Sequence, residues 1–385
     1  MVARGFRAMV AINCDGYRFA MMVVLCTGLG EFGNVFNFGF VFFWMKCIIG
    51  IESTAHTFGV GVLDMSGNIL SNEKDSYVTS EGGMIPLEVR AHHARVGEEV
   101  FAKALKVAGV CEEDIEVVAF SNAPGLAPCL LEGMDFAKGL AERLGIELVG
   151  VNHCVAHLVV GEICGAKDPV MLYTSGANTQ VVAFEGGKFR IFGESLDLGV
   201  GNFIDSIGRT MGLGFPAGAA IQQLAAEYAE DGRWKMEDAP ELLELPYVVK
   251  GMDVSFSGIQ TKIRNLIEKG VDNGELAFAL QENVFAMLVE VSERALAHTG
   301  KSELLIGGGV GCNSRLQEMC RIMCEERGCK FFAPEKSLLV DNGAMIGYLG
   351  LKMHRRNKEK GIRNKELGDI DIAPRERTDE VEVLW

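Results

Sequence analysis

Residues 47–70, CIIGIESTAHTFGVGVLDMSGNIL, carry the pattern that decides the fold. An apolar run (residues 47–51) is followed by a polar turn (residues 52–56), a second apolar run (residues 58–63), a turn at Ser66 and Gly67, and a third run (residues 68–70). Short apolar runs bounded by polar and glycine-containing turns are typical of β-strands. The stretch therefore predicts three successive strands, with a small polar turn between the first two.

The same pattern returns about 120 residues later in residues 170–192, VMLYTSGANTQVVAFEGGKFRIF. Here the first turn is made of small residues (175–178), and the second turn is Gly186 and Gly187. A repeat of this kind predicts two similar domains, each offering its first turn to one side of a bound phosphate chain. Two unrelated hairpins are the alternative.

Helical segments alternate with these strands. Apolar residues at a period of 3.6 predict helices over residues 87–105, 133–144, 221–229, 276–298 and 314–327, and further strands are predicted over residues 147–151 and 304–306. Strands alternating with helices place the chain in the α/β class.

Composition narrows the functional classes. The 385 residues are 48% hydrophobic, which excludes general disorder, and the formal net charge is −15. Such an acidic chain needs a local basic patch or a partner protein to contact nucleic acid. The basic run over residues 352–365 could supply that patch or be a solvated helix end.

The eleven cysteines are scattered without a CxxC motif, which favours buried, reduced thiols over disulfides. A zinc site at Cys320, Cys324 and Cys329 is the alternative. Residues 1–44 form an apolar, aromatic extension whose uninterrupted runs are shorter than the roughly 20 residues that span a bilayer. We expect a poorly structured extension, or a start assigned too far upstream, rather than a membrane anchor.

His153 and His157 lie four residues apart behind Asn152, a suitable helix N-cap. This spacing puts both imidazoles on one helical face, where they could bind a divalent metal, although two unrelated histidines give the same pattern. Cys154 stands where an HExxH metallopeptidase has its glutamate, which disfavours peptidase chemistry.

Three further positions carry candidate chemistry. Asp341 ends an apolar run and could either cap the next helix or serve as a hard metal ligand. Residues 307–311 are rich in glycine between a strand and a helix, where backbone N–H groups can approach a nucleotide. They match neither the Rossmann nor the Walker pattern. Asp205, in a predicted helix, could grip a ribose or be solvated.

These segments, in this order, resemble the tRNA threonylcarbamoyladenosine transferase family, formerly labelled O-sialoglycoprotein endopeptidase. The resemblance runs from about Lys46 to Trp385 and rests on residues 91–93 (AHH), 152–157 (NHCVAH), 172–180 (LYTSGANTQ), 253–258 (DVSFSG), 308–310 (GGV) and 341–346 (DNGAMI). The ending RERTDEV (residues 375–381) resembles the archaeal and eukaryotic branch, the catalytic subunit of the KEOPS complex.

The resemblance implies a duplicated actin/Hsp70/sugar-kinase (ASKHA) fold. The first domain would comprise residues 45–168 plus about 340–385, the second residues 169–339, and a nucleotide cleft would lie between them. It also implies transfer of threonylcarbamoyl from threonylcarbamoyl-AMP to N6 of adenosine 37 in tRNAs that read ANN codons. The implied partners are tRNA, a small kinase-like subunit and small accessory subunits, and the implied location is the cytoplasm.

The resemblance also implies the site residues. One divalent metal, iron in preference to zinc, would be held by His153, His157 and Asp341, with Tyr173 as a further ligand, and magnesium could accompany the nucleotide. ATP, AMP or threonylcarbamoyl-AMP would be bound by Tyr173, Thr174, Ser175, Gly176, Ala177, Asn178, Asp205, Gly218, Gln222 and Asn313. No residue suggests itself as a general base.

The chain departs from the family pattern at four positions. Ala177 replaces the second glycine of SGGN, Ala217 and Ala219 replace the glycine and proline of GFPGGP, and Gln222 replaces an acid. We expect these changes to affect nucleotide affinity rather than the fold, because an added methyl can crowd a phosphate. A nucleotide-binding or ATPase supporting subunit without transferase activity is therefore the first alternative, and a metallopeptidase is the second.

Overall fold

The computed structural model describes all residues except 1–5, 15–16, 31–32, 44–45, 80–83, 231–242, 363–365 and 384. The strands are β1 (Phe6–Cys14), β2 (Tyr17–Gly30), β3 (Gly33–Phe43), β4 (Cys47–Glu52), β5 (Thr57–Asp64), β6 (Ile69–Ser76), β7 (Ile115–Ala123), β8 (Glu147–Asn152), β9 (Val170–Thr174), β10 (Thr179–Glu185), β11 (Lys188–Glu194), β12 (Val249–Lys250), β13 (Asp253–Val254), β14 (Glu303–Gly307) and β15 (Lys330–Phe332). The α-helices are α1 (Pro86–Ala108), α2 (Ala127–Leu144), α3 (His153–Val159), α4 (Val200–Thr210), α5 (Gly218–Tyr228), α6 (Ser257–Glu268), α7 (Asn273–Thr299), α8 (Ser314–Arg327), α9 (Lys336–Leu339) and α10 (Gly343–Lys360).

Two five-stranded sheets share one strand order. The first sheet runs β6-β5-β4-β7-β8 and the second runs β11-β10-β9-β14-β15. In each sheet the first three strands of the chain pair antiparallel, and the fourth pairs parallel to the first. The duplication predicted from the two hairpins is thus confirmed, since it extends beyond the hairpins to the whole sheet.

Helix α10 packs on the first sheet through glycines. A Cβ atom on Gly50 of β4 would lie 2.1 Å from the carbonyl oxygen of Gly343, and one on Gly61 of β5 would lie 2.2 Å from the backbone nitrogen of Ala344. Such distances leave no room for a side chain, so backbone meets backbone. This contact fixes the start of α10, and with it Asp341 just upstream.

Each sheet has its own apolar core. Phe58 and Phe120 are fully buried in the first half, and Phe203 stacks on Phe256 at a ring-centroid distance of 5.4 Å in the second. Fully burying each such side chain stabilises the fold by about 1.5–3 kcal/mol. Each sheet, with its own core, therefore forms a rigid support for the turns between its strands.

The C-terminal segment connects the two halves. Ala373 donates its N–H to the carbonyl of Asn122 in the first half, whereas Glu382 forms an isolated bridge with Lys188 of β11. Arg377 also forms an ion pair with Glu194 of β11, at 3.3 Å. The proposed division into residues 45–168 with 340–385, and 169–339, stays a prediction, and the last residues contact both sheets.

Two local predictions differ from the structure. Helix α2 begins at Ala127 rather than near residue 133, because Pro128 fits the first turn of a helix, where no N–H bond is needed. The extension over residues 1–44 is expected to be poorly structured, but its strands β1, β2 and β3 form an antiparallel sheet, because its apolar and aromatic runs favour strands. Among the described residues, none of the helices combines the length and apolar character needed to cross a bilayer.

Candidate functional site

Helix α3 presents His153 and His157 side by side. Asn152 caps the helix as predicted, because its side-chain oxygen accepts from the N–H of Val155 at 3.2 Å. The two imidazole centroids lie 4.7 Å apart, and both side chains are buried. The Asn152 amide also donates to Glu376 at 2.9 Å, so the C-terminal segment supports this cap.

Asp341 faces both histidines. Its Oδ1 lies 3.4 Å from Nε2 of His153 and 3.4 Å from Nε2 of His157. The prediction that Asp341 could cap the following helix is wrong, because Asn342 caps α10 by accepting from the N–H of Met345 at 3.0 Å. The Asp341 carboxylate therefore does not cap the helix, and it contacts the two histidines instead.

Glu52 is a functional residue that the sequence analysis missed. It is 0% exposed at the end of β4, and its Oε2 lies 2.9 Å from Nδ1 of His153. Its Oε1 accepts from the N–H and the hydroxyl of Thr54, at 2.8 and 2.5 Å. A carboxylate behind an imidazole fixes the tautomer, so that Nε2 of His153 is directed at Asp341. An acid directly after a buried strand was the available signal.

Burial and the neighbouring charges shift the pKa values of His153, His157 and Asp341. Burial opposes the charged form of His153, but the charges of Glu52 and Asp341 and hydrogen bonds to both raise the pKa of His153 well above its ordinary value. Burial likewise opposes the charge of Asp341, yet the neighbouring His153 and His157 hold the pKa of Asp341 well below its usual range. Burial lowers the pKa of His157, which favours the neutral, ligating imidazole.

The residues fit a divalent metal. The ligand atoms of His153, His157 and Asp341 all lie within 4.8 Å of one another, the only such group of three among the residues that the structure describes. Separations near 3.4 Å match two ligands bound to one ion at about 2.1 Å in tetrahedral geometry. The buried Nδ1 of His157 has no hydrogen-bond partner within the described part of the chain.

Tyr173 forms the wall between this group and the second half. Its ring lies 5.2 Å from that of His157 and packs with Cys154 and Leu158 of α3. Burial raises the pKa of Tyr173 well above its ordinary value, so the phenol is protonated. Its role as a further metal ligand stays a prediction.

The turn over residues 175–178 exposes backbone. The N–H of Ser175 donates to the carbonyl of Asn178 at 2.8 Å, and the N–H of Asn178 donates to the Ser175 hydroxyl at 3.0 Å. Gly176 and Ala177, at the tip, are exposed. The turn is thus a closed ring with an exposed tip, and its Ser175 and Gly176 carbonyls accept from the N–H groups of Gly201 and Asn202 in α4. An exposed turn of this kind is suited to binding an anion through backbone N–H groups.

Two glycines press against this turn. A Cβ on Gly199 would lie 2.3 Å from the carbonyl oxygen of Gly176, and one on Gly308 would lie 2.4 Å from that of Thr174. Gly308 also has φ +86° and ψ 162°, a conformation that is essentially restricted to glycine. The glycine-rich segment predicted to approach a nucleotide therefore packs directly behind the turn.

Asp205 and Gly218 lie close together in the second half. Asp205 of α4 accepts from the N–H of Ala217 at 2.7 Å, immediately before Gly218 begins α5. Burial raises the pKa of Asp205, although the Ala217 hydrogen bond and the charges of His56 and Arg209 act in the opposite direction. The carboxylate thus positions the start of α5, and its contact with a ribose stays a prediction.

Gln222 and Asn313 meet at the start of α8. Gln222 donates to the Ser314 hydroxyl at 3.2 Å, and Asn313 caps α8 by accepting from the N–H of Arg315 at 2.9 Å. The Asn313 amide donates to Gln281 at 2.5 Å. Both predicted residues are therefore brought together in the second half, with their nucleotide contacts still a prediction.

The substituted alanines fit the fold. Ala177 is exposed, and Gly199 packs on its backbone rather than on its methyl group. Ala217 is 1% exposed, and its methyl occupies the space that a side chain on Gly208 would need. The substitutions are therefore accommodated without disturbing the turn.

Two further candidate sites were the basic run over residues 352–365 and the cysteine cluster. In the basic run, Lys352 pairs with Glu162 at 2.6 Å and Lys358 with Glu116 at 3.3 Å, so these cations are partly neutralised within the chain. Cys320 and Cys324 are buried free thiols, and within the described ranges the cysteines form no metal-binding group with other ligands.

Comparison with known proteins gives the family. Residues 68–348 match the family described as TsaD, tRNA N6-adenosine threonylcarbamoyltransferase. The chain belongs to this family. It is 48% identical to the tRNA N6-adenosine threonylcarbamoyltransferase of Thermococcus kodakarensis, over 88% of this chain and 99% of the relative. The Archaeoglobus fulgidus protein of the same name is 44% identical over the same shares.

Solved structures support the same fold. Full-length HypF in its phosphate- and nucleotide-bound form is similar with a TM-score of 0.53 and 12% identity, over 81% of this chain and 56% of HypF. At that identity the likeness concerns the fold alone. The duplicated ASKHA fold, the family and the tRNA N6-adenosine threonylcarbamoyltransferase activity predicted from the sequence are confirmed.

Proposed function

We propose that this transferase moves the threonylcarbamoyl group from threonylcarbamoyl-AMP to N6 of adenosine 37 in tRNAs reading ANN codons, as the catalytic subunit of a KEOPS-type complex. The observation that carries the proposal is the adjacency of two unlike sites. Tyr173 packs against His157 of the ligand group and leads directly into the exposed turn over residues 175–178. A donor held by the turn would place its phosphate and carbamoyl groups beside the ligand group.

The ligand group suits iron, with zinc as the second choice. Two histidines and one carboxylate with open positions are typical of non-haem Fe(II), and zinc enzymes use a similar set. When bound, the ion would act as a Lewis acid on the carbamoyl or phosphate oxygen. His153, His157 and Asp341 would hold it, with Tyr173 as a further candidate, and Glu52 would orient His153.

The second half would hold the nucleotide. Backbone N–H groups of Gly176 and Ala177 are suited to phosphate oxygens, and Gly218 has open space where a Cβ would project. Gln222 donates through its nitrogen to Ser314, which leaves its oxygen to accept from a ribose hydroxyl. The adenine amine is a weak nucleophile, so we expect positioning and stabilisation of developing charge to supply most of the catalysis.

Partner subunits would complete the tRNA surface. The net charge is −15, and Lys352 and Lys358 of the basic run pair with acids of the same chain, so an additional basic surface would favour binding of a phosphate backbone. Relatives at 44% identity named "Probable bifunctional tRNA threonylcarbamoyladenosine biosynthesis protein" are matched over about 60% of their length. This supports a second activity next to the transferase, which we assign to a small kinase-like subunit in the cytoplasm.

The test measures transfer of labelled threonylcarbamoyl from its adenylate to unmodified tRNA with cognate partner subunits present. We expect transfer by the intact chain and none by the His153→Ala/His157→Ala variant, which should also lose bound metal. His298→Ala is the matched control, because His298 is exposed and packs against Phe192. Hydrolysis of ATP by the intact chain without transfer would instead favour a supporting subunit.

A further inference from the structure

The turn between β4 and β5 is fixed by its carbonyl groups. The Thr54 carbonyl accepts from the N–H of Leu126 at 2.8 Å, and the Ala55 carbonyl accepts from Nε2 of His93 at 2.9 Å. The His56 carbonyl accepts from the N–H of Tyr77 at 2.8 Å. Three successive anchors leave the backbone of this turn little freedom, so the His56 side chain starts from a fixed point.

From this turn, His56 reaches the second half of the molecule. Its ring meets Phe215 edge-on, at a centroid distance of 5.9 Å and an interplanar angle of 80°. Phe215 lies two residues before Ala217, whose N–H donates to Asp205 at 2.7 Å, so the ring also lies near α4. Thr54, two residues earlier, lies 3.3 Å from Nδ1 of His153. His56 therefore belongs to the turn that contacts the ligand group through Thr54, and its ring packs on Phe215, in the region predicted to hold the adenylate.

His56 differs from the other histidines in the cleft by having free nitrogens. Neither ring nitrogen hydrogen-bonds to any residue that the structure describes, and the side chain is partly exposed. The other six histidines of the chain are committed to the ligand group (His153 and His157), to hydrogen bonds (His92 with Asp75, His93 with Ala55, His354 with Glu147) or to packing outside the cleft (His298 on Phe192). Among the described residues, His56 is thus the histidine near the ligand group whose ring nitrogens remain for a substrate.

We propose that His56 is a catalytic base that takes the proton from the attacking adenosine amine, an inference that rests on the proposed function. The N6 lone pair attacks the carbamoyl carbon, the N–C bond forms, and the C–O bond to the adenylate phosphate breaks. AMP leaves with the bonding electrons, and one N6 proton passes to the imidazole and from there to solvent. An amine conjugated with the purine ring is a poor nucleophile, so proton removal in the transition state is effective.

The titratable groups around the imidazole come from two elements. They are Asp205 of α4 and His93 of α1, while Tyr77, on the residue after β6, contacts His56 through its backbone N–H and directs its phenol to Glu88. Burial lowers the pKa of His93 to about 4, so His93 is neutral at working pH and adds no charge. Asp205 is the acidic group of this set, and its carboxylate accepts from the N–H of Ala217.

The experiment is the transfer assay with partner subunits, using His56→Gln and His56→Ala. We expect kcat to fall at least about 100-fold in both variants, with KM for the adenylate and bound metal unchanged. We expect the rate of the intact chain to decline at acidic pH and the rate of both variants to show no such decline. Imidazole added to the buffer should restore part of the His56→Ala rate. His298→Gln is the matched control, with the rate and pH profile of the intact chain.

Two results would overturn the inference. Full activity of His56→Ala is one. The other is a loss of activity that imidazole does not restore, together with an unchanged decline at acidic pH and an equal loss in Phe215→Leu. His56 would then have only a structural role, in the packing contact between the two halves. If the intact chain itself transfers nothing, the proposed function fails. Measuring AMP binding to the intact chain and to each His56 variant distinguishes that failure from a failure of the inference about His56.

Discussion

The two halves place turns of opposite character at the same position of the same sheet. The first, between β4 and β5, is filled with side chains, with Glu52 and Thr54 buried against His153. The second, between β9 and β10, is tipped by exposed Gly176 and Ala177 and offers backbone. The duplicated fold thus supplies two equivalent positions, of which one supports a side-chain ligand group and the other an anion-binding turn.

The largest effect should come from the first turn. Glu52→Gln keeps the shape but removes the charge that orients His153, and it leaves a buried, protonated imidazole without its main partner. We expect metal affinity to fall about 10–100-fold. We also expect the free energy of unfolding of the metal-free protein to fall by about 3–5 kcal/mol. Metal titration and denaturant unfolding measure both.

The control for this change lies in the second turn. Ser175→Ala removes a side chain at the corresponding place, where backbone is expected to do the binding. It should leave metal affinity within about 2-fold. Equal losses in both variants would contradict the difference between the turns.

The second turn should respond to backbone changes instead. Gly308→Ala forces a Cβ to within 2.4 Å of the Thr174 carbonyl and into a conformation that alanine rarely adopts. We expect the free energy of unfolding to fall by about 2–3 kcal/mol and AMP affinity to fall as well, with bound metal retained. Gly309→Ala, whose Cβ has open space around it, is the control for calorimetric AMP titration. Loss of metal in Gly308→Ala would show that the two sites are not separate.

A fall in pH should lower the free energy of unfolding through His93, in the first half. Burial lowers its pKa from 6.5 to about 4, so the unfolded chain binds more protons between these values, and stability falls as the pH falls through this window. From pH 7 to pH 5 this single group should cost about 2 kcal/mol. His93→Gln, which can still donate to Ala55, should show a smaller decrease over the same range in thermal unfolding curves. An unchanged decrease would assign the pH effect to other groups.

The local parts of the fold could be predicted because their signals are local. Helix α8 begins and ends at the predicted residues, and β9 does too, since caps, glycines and periodicity mark both. In the same way, the four-residue spacing of His153 and His157 is enough to predict that they share one face of a helix. These features need no knowledge of the rest of the chain.

The missed parts depend on contacts between distant residues. Glu52 and His153 are 101 residues apart, and only the pairing of β4, β7 and β8 brings them together. Asp341 also could not be separated from a helix cap by sequence, because Asn342 beside it is an equally good cap. A site assembled from strand ends is decided by sheet order, which a local pattern does not contain.

The smallest effect should come from restoring the family glycine at position 177. Ala177 is exposed, and Gly199 contacts its backbone rather than its methyl group, so Ala177→Gly removes little contact. We expect AMP affinity to change less than about 3-fold, and the free energy of unfolding to fall by about 0.4–1 kcal/mol because glycine gives the unfolded chain more freedom. Ala217→Gly, at a buried position, should destabilise more, since it also opens a space beside Gly208. A gain of tenfold or more in AMP affinity for Ala177→Gly would show that the methyl crowds the phosphate, and that side chains govern the second turn as they do the first.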